Sequence, residues 1–264
     1  MAEAKVINIA NFKGGVGKTT TTVLFSYLLA LKKEKRVLLV DFDPQANATD
    51  LLFKTFDIDS DAINCTIYQA MKDKDLSKAV VKCHQNLDVI SAEGDLRNFS
   101  RLLSSLFGND YTLYPYLLDA LLEPLKANYD YIFIDVPPTI SDYTDSAIVA
   151  SDYLAIVMQT QEFSLAAVEG FIPYVEEVLD NYETEIKFVA TIPVLLQKRS
   201  KSDQYILAEA KKMFNDRLTE NTIQIRERIK GWGILGIKDE DMHDQEVLSM
   251  YETLLDEFLM KLEE

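Results

Sequence analysis

The eight residues Lys13 to Thr20, KGGVGKTT, constrain the fold more than any other stretch of the chain. They lie between an apolar run (Val6, Ile7, Ile9, Ala10) and an amphipathic run from Thr20 to Lys33. In the second run Val23, Leu24, Tyr27, Leu28 and Leu31 fall on one helical face. A glycine-rich loop between a strand and a helix lets backbone N–H groups converge on phosphates. Gly14, Gly15 and Gly17 carry no Cβ, so the backbone can approach a pyrophosphate closely. Lys18 would reach the β- and γ-phosphates, and the Thr19 hydroxyl would ligate Mg²⁺. The nucleotide-binding stretch is therefore Lys13, Gly14, Gly15, Val16, Gly17, Lys18, Thr19 and Thr20. One position is anomalous. The ordinary pattern G-x-x-x-x-G-K-[ST] asks for glycine at position 12, where this chain has Phe12 followed by an extra lysine, Lys13.

Two further segments fit beside the loop. Val37 to Val40 is apolar and ends in Asp41-Phe42-Asp43-Pro44-Gln45; Tyr131 to Ile134 ends in Asp135-Val136-Pro137-Pro138. Short β-rich runs that end in an acid read as buried parallel strands with carboxylates at their C-terminal ends, where ligands of doubly wound sheets bind. Mg²⁺ keeps several waters and needs only one or two carboxylates nearby. Thr19, Asp41 and Asp135 are thus the candidate metal residues. Alone, Asp41 and Asp135 would read as strand-end caps; next to the loop, the metal reading is the stronger one.

Together, Lys13–Thr20, Asp41–Asn47 (DFDPQAN) and Asp135–Pro138 (DVPP) resemble the three motifs of the ParA/MinD ATPases with a deviant Walker A loop. Order and spacing match from about residue 5 to about residue 170, and Ser151–Gly170 resembles the strand and helix that follow Walker B. The DPQ-N string is most similar to ParA-type partition ATPases. The resemblance implies catalytic roles for Lys13, Lys18 and Asp43. Lys13 matches the signature lysine that reaches a partner's ATP across a dimer. Lys18 matches the P-loop lysine, and Asp43 the acid that positions or activates the attacking water. Asp41 and Asp135 match outer-shell metal acids, with Asp135 at the Walker B position. By family position alone, the backbone near Ile192 and Pro193 would meet the base.

The implied fold is α/β, a doubly wound, mostly parallel sheet with helices on both faces, of the P-loop NTPase type. Alternating apolar runs and helical patterns read the same way. Leu87–Ile90, Leu154–Met158 and Phe188–Ile192 read as further strands; Leu102–Leu125 reads as helix interrupted near Gly108–Tyr114. The acidic stretch Asp57–Asp61 is expected to close the first β-α-β unit. No composition shift marks a second domain, so residues 1–264 are expected to form one ParA-like ATPase domain without an N-terminal helix-turn-helix extension. Cys65 and Cys83 form no C-x-x-C pair, which argues for a reducing compartment. Cys83 next to His84 lacks the further ligands a metal site needs.

The formal net charge is −16, yet nine basic and five acidic residues between 196 and 230 make that window net positive. Local field governs phosphate binding at a Debye length of about 8 Å. The family's late basic residues bind DNA non-specifically, which makes Arg226, Arg228 and Lys230, with Lys198, Arg199 and Lys201, the candidate DNA patch. Lys211, Lys212 and Arg217 read as an ordinary solvated helix face, and Gly231-Trp232-Gly233 as a turn with one packed aromatic.

The expected cofactors are ATP and Mg²⁺. The expected function is plasmid or chromosome partition by an ATP-state homodimer on non-specific DNA, released by a ParB-like or other centromere-binding adaptor. The expected location is cytoplasmic and nucleoid-associated. Two alternatives are a ParA-like positioner of a non-DNA cargo and a MinD-like membrane-associated ATPase. The latter class ends in a basic amphipathic helix, whereas Asp244–Glu264 carries seven acids and one lysine, so no membrane partner is expected. An iron–sulfur redox ATPase would need cluster cysteines, and Cys65 and Cys83 both precede the Walker B strand.

Overall fold

In the computed structural model, which describes residues 3–160, 164–197 and 200–264, the chain alternates strands and helices. β1 (Lys5–Ala10) runs through the glycine loop into α1 (Lys18–Leu31), then β2 (Val37–Asp41) and α2 (Asn47–Phe56). α3 (Ile67–Lys72), β3 (Val80–His84) and β4 (Leu87–Ile90) follow, then α4 (Phe99–Phe107), α5 (Tyr116–Lys126) and β5 (Tyr131–Asp135). The second half holds α6 (Asp142–Val149), β6 (Tyr153–Gln159), α7 (Ser164–Asn181) and β7 (Lys187–Val194). It ends with α8 (Lys201–Phe214), α9 (Glu227–Leu235) and α10 (Met242–Leu262).

The seven strands form one sheet in the order β3-β4-β2-β5-β1-β6-β7, parallel except where β3 pairs with β4. Strand residues alternate between two covered faces. Ile7, Ile9, Val37 and Leu39 join one core with α1, α2 and α10; Val6, Leu38 and Val40 join the other with α3, α4 and α5. Burial on both faces explains why these strands read as continuous apolar runs. The register sets Asp41 directly against Asp135 across β2 and β5, and β1 pairs with β5 on its other side. The loop and both acids therefore open at the same end of the sheet, next to the strand where the order reverses.

α10 places Val247, Leu248, Tyr251, Leu254, Leu255, Phe258 and Leu262 in the core, with the Phe258 ring 5.4 Å from Phe25 of α1. Each such side chain contributes about 1.5–3 kcal/mol when buried, so the acidic terminal helix spends its apolar stripe on the domain. Among the described residues, no helix is long and apolar enough to cross a membrane.

Three local expectations are corrected. The first β-α-β unit closes at Asp41; Asp57 instead ends α2 as a left-handed cap at φ 55°, and Ser60–Ala62 forms a short 3₁₀ turn after it. Gly231-Trp232-Gly233 lies inside α9 rather than in a turn. Trp232 is buried, and its indole Nε1 donates to Asp244 Oδ1 at 3.1 Å. That anchorage offsets the helix penalty of two glycines, about 1 kcal/mol each. β3 was not expected as a strand: it is an antiparallel edge with exposed Lys82 and a register shift between Lys82 and His84.

Candidate nucleotide site

The loop is shaped by two left-handed glycines, Gly15 (φ +72°) and Gly17 (φ +88°). Gly17 caps α1 and, as a glycine, offers no side chain to the helix's first amides. The helix N-terminus therefore presents its amides and partial positive charge to the loop. Lys18, the first residue of α1, is buried, and its Nζ donates to the Lys13 carbonyl at 3.2 Å. Burial pushes the Lys18 ammonium's pKa down, while the charges of Asp135 and Asp43 push it back up. The Lys13 backbone N–H donates to Asn11 Oδ1 at 2.9 Å, and Asn11 Nδ2 donates to the Val157 carbonyl of β6 at 2.7 Å.

Asp41, Asp43 and Asp135 are all buried beside this loop, but their partners differ. Asp41 Oδ2 accepts from the Thr49 backbone N–H and the Thr49 hydroxyl, each at 2.8 Å, and its Oδ1 accepts from Asp43 N–H at 3.2 Å. Burial nevertheless pushes the Asp41 carboxyl up to about 6. Asp43 Oδ1 accepts from Gln45 N–H at 2.9 Å, closing a tight turn after β2. Neither Asp135 oxygen receives a hydrogen bond of good geometry among the described residues. Burial and then the neighbouring Asp41 charge raise its pKa well above the usual carboxylate range, opposed by the Thr19 hydroxyl and the Lys18 charge.

Buried carboxylate oxygens without donors, next to a threonine hydroxyl and a lysine, suit a hydrated divalent cation. Among the described residues no group of three or more His, Cys, Asp or Glu side chains is arranged to hold a metal alone. The donor set thus fits Mg²⁺ that brings its own waters and phosphate oxygens. Cys83 next to His84 joins no such group, and burial pushes its thiol up to about 12, far from the thiolate a metal would need.

Gly15, Gly17, Lys18, Thr19, Thr20 and Asp43 line a cleft of about 610 Å³. Its far wall is made by Leu195, just after β7, and by Ile229, Lys230 and Gly233 of α9. This wall was not anticipated. Ile192 and Pro193 are buried within β7, where the Pro193 carbonyl accepts from Ile223 N–H at 3.0 Å, so the cleft begins two residues later. Periodicity gives no signal for a wall contributed by a helix two hundred residues from the loop.

Of the six basic residues, Lys198 and Arg199 lie outside the described residues. Lys201 opens α8 and is exposed. Leu196 and Gln224 form an isolated bridge that draws the segments leading to Lys201 and Arg226 together at the β7 edge. Arg226 pairs with Glu246 at 2.7 Å and Arg228 with Asp241 at 2.6 Å, both acids on or capping α10, and Lys230 pairs with Glu227 at 2.8 Å. Lys212, exposed on α8, pairs with Glu209 one turn earlier at 2.7 Å.

A mostly parallel sheet with a phosphate loop after β1, and carboxylates ending the adjacent β5 and the next strand, β2, defines a P-loop nucleoside triphosphatase. The family described as AAA domain matches residues 4–188. The sporulation initiation inhibitor protein Soj of Bacillus subtilis is 34% identical over 223 residues, covering 83% of each chain. The chromosome partitioning protein ParA of Myxococcus xanthus is 31% identical over 82% of this chain and 74% of its own length. A Borrelia burgdorferi structure assigned to plasmid partition, bound to AMPPNP, superposes with a TM-score of 0.78 at 27% identity, covering 98% of this chain and all of the other. The chain belongs to the ParA-type partition ATPases.

Proposed function

We propose that residues 1–264 act as one Mg²⁺-dependent ATPase domain that dimerises in its ATP state, binds DNA non-specifically and partitions plasmid or chromosome copies. The observation that carries this reading is the convergence of Lys18, Asp43 and Asp135 at the C-terminal ends of the central strands. The Borrelia relative's bound AMPPNP supports a nucleotide at the equivalent loop. Bound Mg²⁺ would supply charge neutralisation at the phosphates.

Phosphoryl transfer is mostly positioning and charge stabilisation. The loop amides and Lys18 hold the phosphates. Thr19 would hold the metal with its hydroxyl, and Asp135 and Asp41 would be its outer-shell acids. Asp43, held by its turn, positions the attacking water. Lys13 adds positive charge to the partner's site, which couples hydrolysis to association. The adaptor is ParB-like or another centromere-binding protein, and the protein works in the cytoplasm on the nucleoid.

Turnover measured against protein concentration, with and without DNA, tests the reading. Wild type is expected to turn over faster per chain as it dimerises, and Lys13→Ala to lose that dependence. Asp43→Ala is expected to bind ATP and dimerise yet hydrolyse poorly. Unchanged turnover in either variant removes the role given to that residue.

One observation favours a second reading. Arg226, Arg228 and Lys230 each already hold an acid of the same chain. On that reading the ATPase positions a non-DNA cargo, and ATP-state DNA retention separates the two.

A further inference from the structure

Phosphate chemistry leaves the two residues before Lys13 unexplained. Where the ordinary phosphate loop has glycine, the Phe12 ring meets Phe171 edge-on, centroids 4.6 Å apart at 71°, and Tyr174 at 5.0 Å and 59°. Both partners belong to α7, and Phe171 is fully buried. The Tyr174 hydroxyl in turn donates to Asp145 of α6, so the aromatic group is tied to a second helix. Asn11, only 2% exposed, bridges the β6 backbone at Val157 to the Lys13 N–H. The Lys13 carbonyl accepts from Lys18. The peptide groups on both sides of Lys13 are thus fixed, and the exposed glycines Gly14 and Gly15 begin only after it.

This boundary bears on the lysine's reach. A flexible four-carbon side chain delivers its ammonium accurately only from a fixed Cα, and a misplacement of about 1 Å can cost ~100-fold in rate. A glycine at position 12 would let the backbone freedom of the loop run back through Lys13.

We infer that Asn11 and Phe12 are positioning residues for Lys13, clamping its backbone to β6 and α7 so that its ammonium is aimed before a partner arrives. The inference rests on the proposed role of Lys13 across the dimer. It assigns to Phe12 a function that a P-loop with glycine at that position lacks.

The test compares kcat and KM for ATP, nucleotide affinity and Tm in the full chain. Phe12→Ala is expected to lower kcat by about 10-fold or more, the scale of a sub-ångström to ångström displacement. Nucleotide affinity should stay near wild type, because Lys18 and the glycines remain. Phe12→Tyr should restore kcat. Phe188→Ala is the control: Phe188 packs on Phe214 at 6.4 Å in the same layer, away from the loop. It should lower Tm and leave kcat in place. Asn11→Ala should give the same kcat loss and carries the test if Phe12→Ala does not fold.

A Phe12→Ala kcat that stays at wild type, or that falls no further than that of Phe188→Ala, overturns the inference. So does a kcat loss in Phe12→Ala when Lys13→Ala turns over normally, since the clamp would then serve another group. If Lys13→Ala and Phe12→Ala are both normal, the trans-lysine reading fails as well.

Discussion

Asp41 accepts two hydrogen bonds from Thr49, one from the backbone N–H and one from the hydroxyl, both at 2.8 Å. The pair joins the end of β2 to the first turn of α2, a helix whose own cap residue, Ala46, is left-handed and offers no side-chain bond. Asp41 is therefore the remote cap of α2. Its lone pairs are committed to Thr49 and Asp43, whereas among the described residues the Asp135 oxygens receive no hydrogen bond of good geometry. Two acids that look equivalent at the ends of adjacent strands thus stand differently: one holds a helix, and the other is buried without a hydrogen bond of good geometry among the described residues.

Thr49→Val should show the structural half of this. The variant keeps the backbone bond but removes the hydroxyl, which also accepts from Ala92 N–H at 3.2 Å. A hydrogen bond to a charged group contributes about 1.5–3 kcal/mol, and a loss of that size is expected in urea denaturation, with Thr49→Ser close to wild type. A Thr49→Val midpoint equal to wild type would show that Asp41 does not depend on Thr49.

Asp135→Asn should separate stability from activity. Asp135 and Asp41 both have folded-state pKa values raised above the unfolded ones, so between the two the folded state holds the extra protons. Stability then falls as pH rises, through about pH 4–6 for Asp41, and the raised Asp135 carboxyl acts in the same direction. Replacing Asp135 removes its own burial penalty and its repulsion from Asp41. At pH 7.5 the variant should melt about 2–4 °C higher, which corresponds to ~1 kcal/mol in a domain of this size, while Mg²⁺-dependent hydrolysis collapses. The Tm difference should shrink toward pH 5; the −16 net charge gives both proteins nearly the same background slope. Equal Tm at every pH would mean that Asp135 is not strained by its burial.

The loop, the three acids and the parallel order were legible because each has a local signature: glycines with lysine and threonine, or an apolar run ending in a carboxylate. What escaped was set by neighbours distant in sequence. Phe12 looked like a missing glycine until Phe171 and Tyr174 came beside it. Trp232 between glycines looked like a turn because its partner, Asp244, lies in the next helix. β3 has too short an alternation, with Lys82 outward and a bulge, to stand out. The split between Asp41 and Asp135 depends on Thr49, whose placement no spacing rule gives.

Gly236→Ala should be among the most damaging single-methyl changes. Gly236 ends α9 at φ +81°, ψ 165°, a region close to glycine-only. An added Cβ would lie 2.4 Å from the Lys54 carbonyl oxygen of α2. The same junction carries Ile237 N–H to Thr55 Oγ1 at 2.9 Å and Lys54 Nζ to the Gly233 carbonyl at 3.1 Å. Strain and clash together should cost about 3 kcal/mol. Because α9 walls the cleft, nucleotide affinity should fall too. Gly233→Ala, with open space at its Cβ and a helical position, should be neutral or stabilising. Similar denaturation midpoints for the two variants would rule out the α9–α2 junction as the point of strain.

The Arg226–Glu246 pair decides between the two cargo readings. Both side chains are partly exposed, and such a pair contributes only about 0–1 kcal/mol, so a DNA phosphate can displace the carboxylate. With DNA as the partner, Glu246→Gln should tighten ATP-state retention a few-fold by leaving Arg226 without a competitor. Arg226→Ala with Arg228→Ala should weaken it and flatten the slope of log affinity against log salt by about 2, close to one for each phosphate no longer neutralised. The measurement is retention on duplex DNA between about 50 and 200 mM salt, the range over which arginine–phosphate pairing weakens most. Retention that ignores salt in the wild type, or that ignores all three substitutions, would move the DNA surface away from α9 and leave the arginines as struts between α9 and α10.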